Sequence, residues 1–457
     1  MLKFIKSLQL RWSDLAILIG FGIFVVFASY GQLFMYHQDP NNVPFSLTVA
    51  IILFVIGFLA FCFVIGEGYF RKELPALPLS LFFLLIILVG LVATTTQPHT
   101  YIYDESHTIM IEAMNKTVFA FEFILMMMFI YCGFFIYSKR FPNFKFLIVL
   151  CYIAFIFAFV VAIYSYIAEG ASISNYFQVL FGYKEGEMTP IASFLIHPNS
   201  VGMVMLLAIL MAFIANSIKR HWWYYLFILF FFTNILFTHC RGSLFLSVLL
   251  IPLYVYYRLF TAHKNDVKMR NIYLIVFSSV IALFFLFVVI VLAGNGEYLP
   301  HLYKAASMIT NTGSLVSRLD IYETCFSILN NGGWLIGKGF GTFNLILSDL
   351  KAYTNYVLPT HNAVIAMLAE GGIVFTIAYF ALLIYTAIFF IRSYRENKQI
   401  TFAIGVGITA FFIYSIVETI QYIMYFFIFL LLMAYQILDK QNNKKDTLEI
   451  AVDTSNM

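Results

Sequence analysis

The sequence predicts an all-α integral membrane protein of about twelve transmembrane helices, with both termini in the cytoplasm. One large extracytoplasmic loop, containing an amphipathic helix, is expected before the tenth span. Of the 457 residues, 62% are hydrophobic and 11% are charged, which excludes a soluble globular domain. Apolar runs long enough to cross a bilayer recur along the chain, and basic residues concentrate in every second connection between them.

The apolar runs of about 17 to 25 residues set the predicted spans. They fall near residues 15–36, 44–65, 76–95, 117–137, 145–168, 191–217, 222–238, 242–260, 271–293, 362–391, 401–418 and 420–438. The chain therefore divides into a nine-span region, a large loop, a three-span region and a tail expected to be disordered. These four parts are residues 1–293, 294–361, 362–438 and 439–457.

The distribution of basic residues gives the orientation of these spans. With the N-terminus placed inside, 20 of the 27 Lys and Arg residues fall in cytoplasmic segments, as the positive-inside rule requires. The long segment 294–361 then faces outward, as do the shorter loops 96–116 and 169–190. The basic residues on the outer side are Lys116, Lys184, Arg241, Lys304, Arg318, Lys338 and Lys351. We interpret most of these as solvated loop charges, but Arg241 and Arg318, and with them Lys338, are candidates for another role.

Arg318 lies in a segment of the large loop, 314–329, whose pattern predicts a helix with Ser314 as its N-cap. At about 100° per residue, one broad apolar face contains Leu315, Leu319, Tyr322, Cys325, Phe326, Ile328 and Leu329. The other face contains Asp320, Glu323, Thr324 and Ser327. Arg318 falls within the apolar face. A buried guanidinium is costly unless an anion meets it, so Arg318 either binds an anionic ligand, pairs with a carboxylate, or extends to water.

Several predicted helices begin on the outer side of the membrane, and each start carries Arg or His side chains. These starts are marked by Arg241 with His239, His361 with Asn362, and His197 with Asn199. Helix N-termini offer free N–H groups and the positive end of the helix dipole. The guanidinium group of Arg can bind two phosphate oxygens at once. We therefore expect a multiply charged anion, phosphate or pyrophosphate, to bind at the outer boundary of the membrane.

Two further features allow more than one interpretation. Glu370 lies two turns below Asn362 on the same face of its predicted helix, where it either clamps a neighbouring helix or contacts an active-site Arg. The glycine cluster at 337–341, which includes Lys338 and Gly339, is either a flexible turn or a close backbone approach to a sugar or phosphate. The outer segments contain no clustered His and carboxylate pattern, so no catalytic metal is expected.

Four motifs, in order along the chain, resemble those of a known family. They are His197-Pro-Asn199-Ser-Val-Gly202, Cys240-Arg241-Gly242-Ser243, Arg318 followed by Gly337-x-Gly-x-Gly341-x-Phe343, and His361-Asn362 followed by Leu368-x-Glu370-x-Gly372. The chain resembles the O-antigen ligase / Wzy-type polysaccharide polymerase family over roughly residues 190–375, and also in its span layout. Cys240 occupies a position where the family usually has Ser. This difference does not affect the charged residue of the motif, Arg241.

The resemblance implies a metal-independent, inverting glycosyltransferase without a cofactor. Its donor would be a glycan on polyprenyl diphosphate, and a glycan acceptor would meet it at the outer face of a bacterial plasma membrane. Arg241 and Arg318 would hold the diphosphate, and His361 would orient or deprotonate the attacking hydroxyl. The expected substrate-binding positions are Asn362, Glu370, His197, Asn199, Lys338 and Gly339.

These motifs leave the exact reaction open. The first hypothesis is a polymerase of lipid-linked repeat units for a capsule, exopolysaccharide or O-antigen. The alternative within the same family is a ligase that transfers finished glycan to another acceptor. A lipid-linked glycan flippase or other transporter is the more distant alternative, which would place polar residues near the bilayer midplane rather than at its outer boundary. A flippase and a chain-length regulator are the expected protein partners; nucleic acid is not expected.

Overall fold

The computed structural model describes residues 143–168, 198–238, 240–263, 265–293, 313–330, 332–338, 361–418 and 421–455, two short strands and a few isolated positions. The helices are α1 Lys145–Ala168, α2 Pro198–Ile218, α3 Trp223–Thr238, α4 Arg241–Ala262, α5 Val267–Ala293, α6 Gly313–Asn330, α7 Ala363–Glu396, α8 Lys398–Val417 and α9 Gln421–Ser455. The first four predicted spans lie outside the described residues, apart from single positions.

Six of the described helices are long and apolar enough to cross a membrane: α1, α2, α4, α7, α8 and the Ile423–Gln441 part of α9. This confirms a helical membrane protein, while the count of twelve spans and the side of the termini remain predictions. α2 is described from Pro198, a residue type that suits the first position of a helix, and residues 194–197 of the predicted span lie outside the described residues. α9 continues to Ser455, through the segment expected to be disordered, since its Lys, Gln and Glu residues favour helix.

A small antiparallel hairpin is the departure from an all-α fold among the described residues. β1 Thr100–Asp104 pairs with β2 His107–Met110, with Thr100 opposite Met110. Alternating Thr, Tyr and Ile residues favour extended backbone. The hairpin lies within the outer loop predicted at 96–116.

The chain divides into two compact units, one of which is Cys151–Val316. Its central element is α2, in which every residue from Ser200 to Asn216 is buried and which packs against α3 and α4. Glycine allows the closest approach, because a Cβ on Gly202 would lie 2.7 Å from the Cβ of Cys240. This contact sets the N-terminal turns of α2 and α4 side by side.

The other unit combines Met1–Leu150 with Ser317–Met457, and its helices α7, α8 and α9 pack against one another. α7 is broken at Gly372, where φ is 68° and ψ is −168°. Glycine alone adopts this conformation readily, since it lacks a Cβ. The break separates a short N-terminal half of α7, directly preceded by His361 and Asn362, from the long C-terminal half.

Candidate functional site

A buried His–Glu pair stands at the head of α7. His361 Nδ1 lies 2.9 Å from Oε2 of Glu418, and the two side chains are only 8% and 7% exposed. His361 directly precedes α7, and Glu418 is the C-cap of α8, held there by its N–H bond to the carbonyl of Tyr414. The packing of α7 on α8 therefore brings together two side chains that are 57 residues apart in sequence.

The pairing determines which nitrogen of His361 can act as a base. When Glu418 is a carboxylate it only accepts hydrogen bonds, and His361 Nδ1 is then the donor in this contact. In the neutral imidazole the lone pair then lies on Nε2. A carboxylate on one ring nitrogen also stabilises the ring when the other nitrogen takes up a proton. The arrangement can thus serve a general base whose reactive atom is Nε2.

The backbone around His361 is constrained. Its φ of 47° lies in the left-handed region, which is uncommon for a residue other than glycine and recurs at functional sites. Asn362 follows as the N-cap of α7, and its Oδ1 accepts hydrogen bonds from the N–H groups of Val364 and Ile365, at 2.9 and 3.2 Å. This corrects the expectation that the α7 N-terminus offers its N–H groups to an anion, because the Asn362 side-chain oxygen already binds two of them.

A turn that follows α6 fills the break in α7. The Ile373 N–H donates to the Trp334 carbonyl at 2.8 Å, and the Val374 N–H donates to the Leu335 carbonyl at 3.2 Å. In the reverse direction, the Lys338 N–H donates to the carbonyl of Ala369 at 2.8 Å. The turn at 332–338, which we call the docking turn, therefore supplies the hydrogen bonds that the break removes from the helix.

Gly337 makes the closest approach of the docking turn to α7. A Cβ on Gly337 would overlap the carbonyl of Glu370, and its φ of 73° is also left-handed. The Gly337 backbone is packed against α7, so the turn is not free at this position, while an approach of the glycine cluster to a sugar or phosphate stays a prediction. Gly339 lies outside the described residues.

Lys338 is buried within the docking turn, at 2% exposure. Its side chain crosses Gly333, since a Cβ there would lie 3.0 Å from Lys338 Cε. Burial lowers the pKa of the Lys338 ammonium, because loss of hydration disfavours the charged form.

Arg318 lies near the start of α6, which begins at Gly313, so Ser314 is inside the helix and not its cap. Among the side chains of this helix that the structure describes, the buried ones are Ile321, Cys325, Ile328 and Leu329. Arg318 is on the same side by helical position and is half-buried. Leu319 and Phe326, expected on the buried face, are exposed.

Glu370 is buried in the N-terminal half of α7. Burial, with the charge of Glu370 as a second cause, raises the pKa of the Cys325 thiol to about 12. Glu370 therefore lies close to α6, beside the docking turn, which agrees with its interpretation as a clamp between elements. The carboxylate bonded to His361 Nδ1 is that of Glu418 and not that of Glu370.

Two predicted residues fall in the Cys151–Val316 unit. Arg241 is exposed at the first position of α4, and Asn199 is half-buried at the second position of α2. Cys240, the N-cap of α4, makes no side-chain cap bond to the helix. The N–H groups at this helix start are thus not capped in the way that Asn362 caps α7.

The structure therefore groups five of the predicted residues in one unit: Arg318, Lys338, His361, Asn362 and Glu370. Asn199 and Arg241 share the other unit, and His197 lies outside the described residues. Glu418 was not among the predicted site residues. The available signal was an acidic residue in the short connection between two apolar spans, on the same predicted side as His361.

The sequence matches no protein-family model and no curated protein. Function is therefore inferred from the residues and their geometry.

Proposed function

We propose that this protein is a membrane glycosyltransferase that joins polyprenyl-diphosphate-linked oligosaccharide repeat units into a surface polysaccharide. The reaction takes place at the outer face of a bacterial plasma membrane, without a metal ion or cofactor. The donor is one lipid-linked glycan, and the acceptor is the terminal sugar of another. The motif resemblance suggests this chemistry, and the site around His361 supports it.

The observation that carries the proposal is the buried contact between His361 and Glu418. His361 Nε2 takes the proton of the acceptor hydroxyl as its oxygen bonds to the anomeric carbon of the donor. The bond from that carbon to the diphosphate breaks at the same time, and the diphosphate leaves with the electron pair, which inverts the anomeric configuration. Glu418 stabilises the imidazolium that forms. A positioned base of this kind contributes about 10²- to 10⁴-fold to a rate.

Cationic side chains stabilise the leaving diphosphate. Arg318 is half-buried on α6, and Lys338 is buried in the docking turn, both in the same unit as His361. Fixed cations at a developing phosphate charge act more strongly where water is excluded. Arg241 remains a phosphate ligand predicted from the sequence.

The test is deletion of the gene followed by analysis of lipid-linked glycans and surface polymer. We expect loss of long polymer, with single repeat units accumulating on the lipid carrier at the outer face. Full-length polymer retained on the carrier would instead identify a ligase, which would use the same site for another acceptor. If repeat units accumulate on the cytoplasmic face, the protein is a flippase and the proposal is wrong. Complementation with His361→Ala should leave the deletion phenotype unchanged.

A further inference from the structure

α6 and the docking turn expose an apolar surface on the side away from the protein core. It consists of Leu319, Phe326, Trp334 and Leu335, which we call the outer patch. Leu335 is 66% exposed and Leu319 56% exposed. The rings of Phe326 and Trp334 stack with centroids 6.1 Å apart and an interplanar angle of 16°. An exposed surface of this composition needs an apolar partner.

α6 has three sides. Its buried side carries Cys325 and Leu329, and at about 100° per residue the exposed Leu319 and Phe326 lie about 100° further round. The exposed Glu323 and Ser327 lie beyond them, on a third side. A helix with one side on protein, one apolar and one polar fits a position along the boundary between lipid and water.

The outer patch is bonded through its backbone to the start of an exposed apolar surface of α7. That surface is a stripe of exposed apolar residues at helical spacing: Ile373, Ile377, Phe380, Ile384, Ile388 and Ile391. It spans about 27 Å at 1.5 Å per residue, close to the hydrocarbon thickness of about 30 Å. Exposed Arg392 follows directly at one end, and Ile373, at the other end, donates its N–H to the Trp334 carbonyl. Trp334 is thus bonded to the first residue of this apolar stripe.

We propose that the outer patch is embedded in the outer leaflet of the bilayer, with Trp334 at the headgroup boundary, so that the lipid holds α6 at a fixed depth. Trp is the residue most typical of this boundary. Its indole N–H already donates to Asn330 Oδ1 at 3.1 Å, and Phe326 covers one face of its ring. Only one face of the Trp334 ring therefore remains for another molecule to contact. A single free face suits contact with lipid better than binding of a sugar, which would be held between two rings. The inference does not depend on the proposed function.

The test uses Trp334 as its own probe. Trp12, Trp222 and Trp223 are replaced by Phe, and the protein is placed in phosphatidylglycerol–phosphatidylcholine nanodiscs whose lipids carry bromine atoms. We expect Trp334 emission to be lost most with bromines near the headgroup end of the acyl chains, less with bromines near the chain ends, and little with aqueous acrylamide. The matched control moves the probe to the polar side of the same helix, by Glu323→Trp with Trp334→Phe, where acrylamide should quench more than lipid.

Quenching of Trp334 by acrylamide as strong as that of the control, with no effect of brominated lipid, would overturn the inference. Protection of Trp334 from acrylamide by added oligosaccharide would also overturn it and would identify a glycan platform. Since the probe is a native residue, a failure of the control variant to fold leaves the Trp334 measurement interpretable.

Discussion

His361 and Glu418 meet at 2.9 Å although each occupies an uncommon position in the backbone. His361 has a left-handed φ of 47°, and Glu418 places a carboxylate at the C-terminus of α8, the negative end of the helix dipole. The second placement alone costs about 0.3–1 kcal/mol. Such placements persist where the surroundings stabilise them, and they cluster at functional sites. The contact is therefore expected to serve chemistry more than folding.

The first prediction concerns the charge of Glu418. Glu418→Gln keeps the shape of the side chain but removes the charge that stabilises protonated His361. We expect kcat for glycosyl transfer to fall by about 10²- to 10⁴-fold, with little change in the KM for the lipid-linked donor. Glu418→Asp should recover part of the loss. The measurement is steady-state transfer with purified lipid-linked repeat units.

The matched control for this change is Glu396→Gln, at the opposite end of α7, where the side chain is exposed. It should transfer at the wild-type rate. If Glu418→Gln raises KM and leaves kcat unchanged, Glu418 binds substrate and does not support a base.

The second prediction concerns Arg318, which is half-buried on α6. Arg318→Ala should reduce transfer by about 10²- to 10³-fold, since a fixed donor to the developing phosphate charge is lost. Its thermal unfolding should match that of the wild type, because a half-exposed charge contributes little to stability. Arg395→Ala, in the last turn of α7, is the control. Normal polymer from the Arg318→Ala protein would contradict the catalytic assignment.

The third prediction concerns the close approach at Gly337. Gly337→Ala places a methyl group against the Glu370 backbone, which cannot move without distorting α7. The docking turn should detach, and limited proteolysis should cut between α6 and α7 faster than in the wild type. Gly170→Ala is the control that separates steric clash from backbone strain. Gly170 also has a left-handed φ, of 64°, but nothing lies within 4 Å of the added Cβ. Left-handed strain alone costs about 1–2 kcal/mol, so equal cleavage of both variants would exclude the steric explanation.

The fourth prediction concerns Cys325 and pH. Alkylation requires the thiolate, and burial raises the pKa of this thiol to about 12. At pH 8 the thiolate fraction is then on the order of a thousandfold below that of an ordinary cysteine, and it rises about tenfold per pH unit up to the pKa. A variant with Cys325 as its one cysteine should therefore react slowly with maleimide at pH 8. Gly337→Ala should accelerate the reaction by exposing the thiol.

The control for alkylation is Ser327→Cys with Cys325→Ala, on the exposed side of the same helix. Labelling of Cys325 as fast as that of this control at pH 8 would show that α6 is not packed as described.

Much of the architecture around the site follows from the sequence. The bounds of α6 and the start of α7 at Asn362 were predicted within a residue or two, because helical periodicity and the Asn cap are local signals. The exposed positions of Leu319 and Phe326 were not predicted. Periodicity groups all apolar residues on one face, but in a membrane protein a lipid-facing side is as apolar as a core-facing one.

The contacts between elements could not be read from the chain. Glu418 meets His361 through the packing of α7 on α8, and no local pattern connects residues 57 apart. Close backbone approach was one of two interpretations of the glycine cluster, but the partner of Gly337, the Glu370 backbone beside the break in α7, is set by tertiary packing. A glycine in a single sequence can indicate that another group packs closely against the backbone. The sequence does not identify which atoms of the fold those are.

The most direct test of the central claim is transfer by the purified protein alone. Wild-type protein and His361→Ala are placed in nanodiscs with lipid-linked repeat units from the deletion strain, without nucleotide sugars or other enzymes. We predict that the wild type converts repeat units into longer glycans and releases one polyprenyl diphosphate per new linkage, while His361→Ala leaves the units unchanged. If the wild-type protein releases no polyprenyl diphosphate, or if His361→Ala releases it at the wild-type rate, the assignment of His361 as the catalytic base is contradicted.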